Sequence, residues 1–234
     1  MSNQKSVSRS EWLEARRVLL SAEKQLQRQR DAVSELRREL PWVLIDQPYQ
    51  FQSTAGPLAL ADLFGPHSQL IVQHFMMGED WDGGCPSCSL WADCYDGTTI
   101  HLEARDTAFV AVSNAPLDKI LQYKQQMGWN FNWVSANGST FNKDFNVSFS
   151  QEQRDAGPVD YNFRPTETSM DELPGISVFA KDESNAIYHT YSCYSRGLDN
   201  MNSIYQYLDL LPKGRDEDKL DYPMAWVRRH NQYE

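Results

Sequence analysis

A chain of 234 residues that is 41% hydrophobic and 12% aromatic carries enough apolar side chain for one substantial core and is short for two full domains. Its formal charge of −10 sets it against nucleic-acid binding, which needs a basic surface that displaces counterions from phosphates, and no run of 18 or more apolar residues offers a membrane span. The charged opening lacks the apolar core of a signal peptide, so the composition predicts a cytoplasmic protein, and four cysteines are too few for a disulfide scaffold.

Charge divides the chain. Residues 1–40 hold 9 Lys+Arg against 6 Asp+Glu, whereas residues 41–234 hold 13 against 26, which marks 1–40 as a separate helical arm. Within it Trp12, Ala15, Leu19, Ala22, Leu26, Gln29, Val33, Leu36 and Leu40 alternate by three and four, one apolar stripe along a long helix. Ser8 and Glu11 have the spacing of a capping box, and Pro41 is expected to end the helix. Such a stripe must be covered, either by the arm's own domain or by a second copy in a homodimer, since near-heptad spacing is what helix pairing uses.

Residues 41–212 read as the main domain. Trp42 to Ile45 and Tyr49 to Phe51, with Ala55-Gly56-Pro57 as a turn, suggest short strands. Gln69 to Met76 (QLIVQHFM) is an apolar run suited to a central strand covered on both faces. A helix should begin at Pro86 and include Leu90, Trp91 and Ala92; Thr107 to Ser113 (TAFVAVS) reads as a second buried strand, and Pro116 to Met127 as a further helix with its proline in the first turn. This β-α-β-α order predicts an α/β fold with parallel strands joined by right-handed crossovers. Residues 128–170 read as irregular insert and surface loops. Ile176 to Lys181 and Ala186 to Ser192, linked by Asp182-Glu183-Ser184-Asn185, form a hairpin signal, a last helix fits Asp199 to Leu211, and residues 213–234 look like a polar tail that packs only in places.

Chemistry concentrates at Cys85-Pro86-Ser87-Cys88. A C-x-x-C pair sets two sulfurs one helical turn apart, so that one attacks a disulfide and the other resolves the mixed disulfide. At a helix N-terminus the unpaired N–H groups and the helix dipole stabilise the first thiolate. Gly83-Gly84 supply a flexible entry, Cys85 falls at the cap and Pro86 fits the first helical position; Cys85 is therefore the expected nucleophile and Cys88 the resolver. Strand, Gly-Gly, dithiol and helix inside a βαβ pattern is the context that makes the short motif informative, and it points to a thioredoxin-like fold. The resemblance to that fold also asks for a proline, commonly cis, before a late strand facing the dithiol, and Pro174 of Leu173-Pro174-Gly175 sits where the resemblance requires it; an ordinary turn proline is the other reading.

His74, at the end of the strand that delivers the loop, is a candidate acid/base for the Cys88 proton, and equally a hydrogen-bonded core residue. Glu79, Asp80, Asp82 and Asp93 surround the cysteines in sequence and are expected to oppose the thiolate, favouring a reducing poise. Trp81 and Trp91 are candidates for the substrate surface, with packing as the alternative; Cys94 and Cys193 read as buried thiols.

The series Glu11-Trp12, Arg37-Arg38-Glu39-Leu40-Pro41-Trp42, His74-Phe75-Met76, Cys85-Pro86-Ser87-Cys88-Ser89 with Trp91-Ala92-Asp93, Thr190-Tyr191-Ser192 and Arg196-Gly197-Leu198-Asp199 resembles a bacterial thioredoxin-like family known only as a domain of unknown function. The resemblance runs through Trp226 to His230, and it implies a thioredoxin fold with a family-specific N-terminal helix and no established substrate. True thioredoxins carry Trp before the first Cys and Gly-Pro between the two; Gly84 and Pro86-Ser87 replace them, and Pro in the first intervening place is nearer to glutaredoxins, which leaves the electron donor open. Tyr191, Tyr194 and Arg196 belong to the resembling block, and Arg196 either holds an anionic substrate group or makes an internal ion pair.

Two other chemistries compete. The cysteines with His74 or His101 would suit copper, although no second short-spaced ligand pair accompanies them as a structural zinc site requires, and Ser89 stands where haem attachment needs histidine. A peroxiredoxin-like thiol peroxidase lacks its upstream Pro and Thr or Ser between Met77 and Gly84. Neither G-x-x-x-x-G-K-[ST] nor G-x-G-x-x-G is present, and G-x-S-x-G and H-E-x-x-H are absent too. The sequence therefore predicts a thiol–disulfide oxidoreductase without cofactor or metal, served by an unidentified reductase, with a disulfide-containing protein or small molecule as substrate.

Overall fold

Residues 5–233 are described by a computed structural model; residues 1–4, the start of the charged opening, and residue 234 lie outside them. Helix α1 spans Arg9–Arg38. Its capping box is complete, with Glu11 N donating to Ser8 Oγ at 3.3 Å and Ser8 N to a Glu11 carboxylate oxygen at 2.9 Å, and basic Arg37 and Arg38 occupy the last turn, where unpaired carbonyls favour cations. None of its residues is buried. Trp12, Leu19, Leu26, Val33 and Leu36 stand exposed, so the arm's own domain leaves much of the stripe uncovered; from Leu26 to Arg37 the helix borders a groove with Tyr191 and Cys193, and the Arg37 guanidinium lies 5.4 Å over the Tyr191 ring.

The rest is built on an eight-stranded sheet. Strands β1 (Val43–Leu44), β2 (Gln50–Ser53), β3 (Gly56–Ala59) and β4 (Gln69–His74) lead to helix α2 (Pro86–Tyr95) and the short α3 (Thr99–Glu103). Strand β5 (Thr107–Ser113), helix α4 (Leu117–Met127) and strand β6 (Asn132–Ser135) follow, then α5 (Phe141–Asp144), α6 (Gln151–Asp155), the hairpin of β7 (Val159–Tyr161) and β8 (Arg164–Thr166), strands β9 (Gly175–Lys181) and β10 (Ile187–Tyr194), and α7 (Ser203–Leu208). The order across the sheet is β1-β10-β9-β4-β5-β6-β2-β3, with β4 parallel to β5 and antiparallel to β9. A β4-α2-β5 crossover joined by the β9-β10 hairpin, in the order β10-β9-β4-β5, is the thioredoxin-like core.

Two hydrophobic layers follow from strand alternation. Val72, Val110, Val112 and Phe179 point to one face, under Phe141 and Phe145. Phe75 and Ala111 point to the other, against α2 and α4. The dithiol belongs to the second layer, His74 to the first.

Two expectations need correction. Residues 128–170 are not mere insert: β6 extends the central sheet parallel to β5, and Trp129, Phe131 and Trp133 are core residues. The strand is four residues long, too short to display a period. The helix expected over 199–211 is a 3-10 turn at Ser195–Met201 followed by α7, because the buried Asn202 caps a new helix with its Oδ1 accepting from Tyr205 N at 3.3 Å. Residues 213–233 pack at particular points: Val227 is buried, and Glu217 Oε1 accepts from Tyr205 Oη at 2.8 Å, Met224 N at 2.9 Å and Trp226 Nε1 at 2.7 Å.

Candidate active site

The dithiol loop is tied down on both sides. Cys85 N donates to Met76 O at 3.0 Å, and Cys85 O accepts from Ser89 N and Ser89 Oγ at 2.9 and 2.8 Å. Arg229, from the tail, donates to Gly84 O at 2.9 Å. Gly84 is buried, and a Cβ there would lie 2.6 Å from Phe75 Cε1 and 2.7 Å from Tyr123 Cε1. The glycine is thus required by close packing, not by flexibility as its sequence context suggested.

Cys85 is the N-cap of α2, with Pro86 in the first turn. Both dithiol cysteines are free thiols, Cys85 half-buried and Cys88 buried. The Cys88 side chain beside it brings the Cys85 thiol down to about 7 against the opposing effect of burial, helped by the backbone N–H groups of Cys88 and Ser87 and by the Ser87 side chain. Burial pushes Cys88 well up, and so do the neighbouring Cys85 sulfur and the charge of Glu172. The two sulfurs are therefore separated in character, one ionised near neutrality and the other held as a thiol. Of the acidic residues conspicuous in the sequence, Asp93 is engaged elsewhere: it accepts from Trp129 Nε1 at 2.8 Å and lies 2.7 Å from His230 Nδ1.

A groove of about 780 Å³ opens at the dithiol. Trp91, Pro174 and Arg196 line it together with Cys85 and Cys88, so three of the residues singled out in the sequence share the groove with the sulfurs. The Arg196 side chain is 85% exposed, its Nε 3.4 Å from Asp199 Oδ2. The peptide before Pro174 is trans, since no cis bond occurs among the described residues; the expected cis form is not adopted, in line with the trans preference of about 0.5–1 kcal/mol for such bonds. The loop is held instead by Tyr161, whose Oη donates to Pro174 O at 2.7 Å and accepts from Ser195 N at 2.9 Å.

The other candidates lie elsewhere. His74 is buried on the opposite face of the sheet, its Nδ1 2.9 Å from Asn142 Oδ1 and its Nε2 2.8 Å from Ser177 Oγ; burial lowers it to about 4. It does not reach Cys88. Trp81 packs against the dithiol-side core and donates to the Asp171 carboxylate at 3.1 Å, and Tyr191 lies under Arg37 of α1. Cys94 Sγ donates to Leu90 O at 3.2 Å, and Cys193 is buried with a raised thiol. Among the described residues no group of three His, Cys, Asp or Glu side chains is placed to hold a metal ion.

Sequence reasoning missed two components. Glu172 is 4% exposed and accepts from Asn114 Nδ2 at 2.7 Å and Ser148 Oγ at 2.9 Å; burial raises it to about 7, against those two hydrogen bonds. Its place two residues before Pro174 was the available signal. The second is the tail, whose residues from Lys213 to Met224 form a wall of the groove. Arg215 fastens this wall, with Nη1 3.0 Å from Asp199 and Nε 2.8 Å from Asp209.

Fold and site together define a thioredoxin-like protein with a dithiol at a helix N-terminus. The chain belongs to a family of bacterial proteins of unknown function, DUF899, whose model matches residues 1–233. No curated protein matches it in sequence. Solved structures similar to it include peroxidoxin BcpB from Mycobacterium tuberculosis (13% identity, TM-score 0.46, covering 70% of this chain and 94% of that one). Others are peroxiredoxin Q from Xanthomonas campestris (10%, 0.49, 73% and 97%) and a hypothetical protein from Sinorhizobium meliloti 1021 (12%, 0.39, 64% and 70%). Among the described residues no helix is long and apolar enough to cross a membrane.

Proposed function

We propose that the protein is a thiol–disulfide oxidoreductase in which Cys85 attacks a substrate disulfide and Cys88 resolves the product. The observation that carries this reading is the pairing of a thiol lowered to about 7 at a helix cap with a buried, raised thiol in the next turn. Cys85 Sγ forms a bond to one substrate sulfur, and the other leaves as a thiolate. Cys88 then gives up its proton, attacks Cys85 Sγ and displaces the second substrate sulfur, which leaves a reduced substrate and a Cys85–Cys88 disulfide. An external thiol reductant restores the dithiol by the reverse exchange.

Glu172 is the acceptor for the Cys88 proton. A carboxyl raised to about 7 whose charge is felt at Cys88 is matched to proton transfer near neutral pH, a role the sequence had offered to His74. Pro174 and Trp91, in the groove with the sulfurs, position the disulfide, and Arg196, paired at 3.4 Å and largely exposed, takes a carboxylate of the substrate. The tail wall favours a small disulfide or an extended peptide segment over a flat protein surface.

The test is reduction of insulin, of a small dicarboxylate disulfide and of hydrogen peroxide by wild type, Cys85→Ser and Cys88→Ser. Reduction of either disulfide by wild type and by neither variant is expected. Equal rates for all three proteins, or turnover of peroxide alone, would remove the reading.

A further inference from the structure

A row of buried and half-buried polar side chains crosses the sheet from His189 to Glu172. His189 Nε2 lies 2.7 Å from Ser192 Oγ, Ser192 Oγ 2.8 Å from Ser177 Oγ, and Ser177 Oγ 2.8 Å from His74 Nε2. His74 Nδ1 is 2.9 Å from Asn142 Oδ1, Asn142 Nδ2 is 3.3 Å from Asn114 Oδ1, and Asn114 Nδ2 is 2.7 Å from Glu172 Oε1. Ser192, Ser177, His74, Asn142 and Glu172 are all buried, in a sheet face otherwise packed with phenylalanine rings.

The direction of every hydrogen bond follows from the acceptor at the end. A carboxylate only accepts, so Asn114 turns its amide N–H to Glu172 and its oxygen to Asn142. Asn142 donates to that oxygen and offers its own to His74, which must then carry its proton on Nδ1. A neutral imidazole protonated there accepts at Nε2, so the Ser177 hydroxyl donates to it; Ser192 donates to Ser177, and His189 Nε2–H donates to Ser192. All six donors point toward Glu172. Aligned dipoles of this kind strengthen one another and favour negative charge at the end they point to.

We infer that His74 is a positioning residue for the resolving step, holding Asn142 and Asn114 so that the chain converges on Glu172 and sets how readily that carboxyl takes the Cys88 proton. The inference rests on Glu172 serving Cys88 as proposed above. Neutral His74 is what burial imposes, against the hydrogen bond to Asn142. Other groups face the carboxyl: Asp171 beside it, itself held by Trp81; Lys143 from α5; and Cys88 from α2. None of them is a member of the chain, so breaking it at His74 leaves their charges in place.

The experiment follows the two equivalents of thionitrobenzoate released when the full-length reduced protein meets an aryl disulfide, Ellman's reagent. The first release reports attack by Cys85 and the second reports attack by Cys88 on the mixed disulfide, measured from pH 5.5 to 9. In His74→Leu the midpoint of the second phase should move up by about half a pH unit, with the first phase unmoved, because the carboxyl loses the dipoles that favour its ionised form. His74→Asn, whose amide N–H reproduces Nδ1–H but does not reach Ser177, should recover most of the shift, and Ser177→Ala, a smaller change should the leucine variant not fold, should move the midpoint in the same direction as His74→Leu but by less. Identical midpoints in wild type, His74→Leu and Ser177→Ala, or a His74→Asn profile that follows His74→Leu, would overturn the inference. Absence of any second phase in wild type would overturn the exchange reading itself, a different result.

Discussion

Replacing Glu172 by Gln should make the protein more stable in alkaline solution and abolish part of its pH dependence. The carboxyl is raised from its usual 4.5 to about 7 by burial, so the folded state binds its proton more tightly than the unfolded state does. Stability from this group is fully present below pH 4.5 and is lost as the pH rises through 7, where burial of a charge begins to oppose folding. At about 1.4 kcal/mol per pH unit, the loss is on the order of 3 kcal/mol. Glutamine keeps an oxygen to accept from Asn114 Nδ2 and Ser148 Oγ and carries no charge, so the variant should escape the penalty. Urea unfolding of both proteins at pH 5 and pH 8.5 measures it: the variant's advantage should grow by about 3 kcal/mol between the two. Parallel pH profiles would refute the assignment of a raised, buried carboxyl, and with it the proton acceptor of the resolving step.

Two further outcomes follow. His74, lowered to about 4, contributes stability above pH 6.5 that is lost as the pH falls toward 4, so wild type should lose about 3 kcal/mol more than His74→Asn over that interval in acid-unfolding titrations. Gly84→Ala places a Cβ 2.6 Å from Phe75 Cε1 and 2.7 Å from Tyr123 Cε1; overpacking of this kind costs about 1–3 kcal/mol, and calorimetry should show a lower Tm together with slower alkylation of Cys85 as the loop is displaced.

The parts legible in the sequence were those written in local pattern. QLIVQH and TAFVAVS announce themselves as buried strands by their apolar centres, LIV and AFVAV, and the Ser8–Glu11 box marked the start of α1 within a residue. The dithiol was legible because spacing, the proline after Cys85 and the preceding strand all act over a few positions. The missing pieces are long-range. Asn132–Ser135 becomes a strand only because β5 and β2 pair with it on either side, and the tail becomes a wall because Arg229 reaches Gly84 O, 145 positions away. Glu172 is one acid among 32 Asp and Glu residues, and nothing in its neighbours reveals that Asn114 and Ser148 enclose it. His74 illustrates the same limit: an apolar run places it in a strand, but which face it takes decides whether it meets Cys88 or Asn142, and strand alternation relative to Phe75 decided for Asn142.

Capture of the mixed disulfide tests the central claim most directly. Cys88→Ser, incubated with a small dicarboxylate disulfide or with an oxidised peptide and then examined by intact mass and peptide mapping, should hold the substrate half on Cys85, formed with a pH dependence centred near 7. Cys85→Ser should hold none. An adduct that forms equally on Cys88 of the Cys85→Ser protein, or no adduct on Cys85 at any pH, would contradict the account.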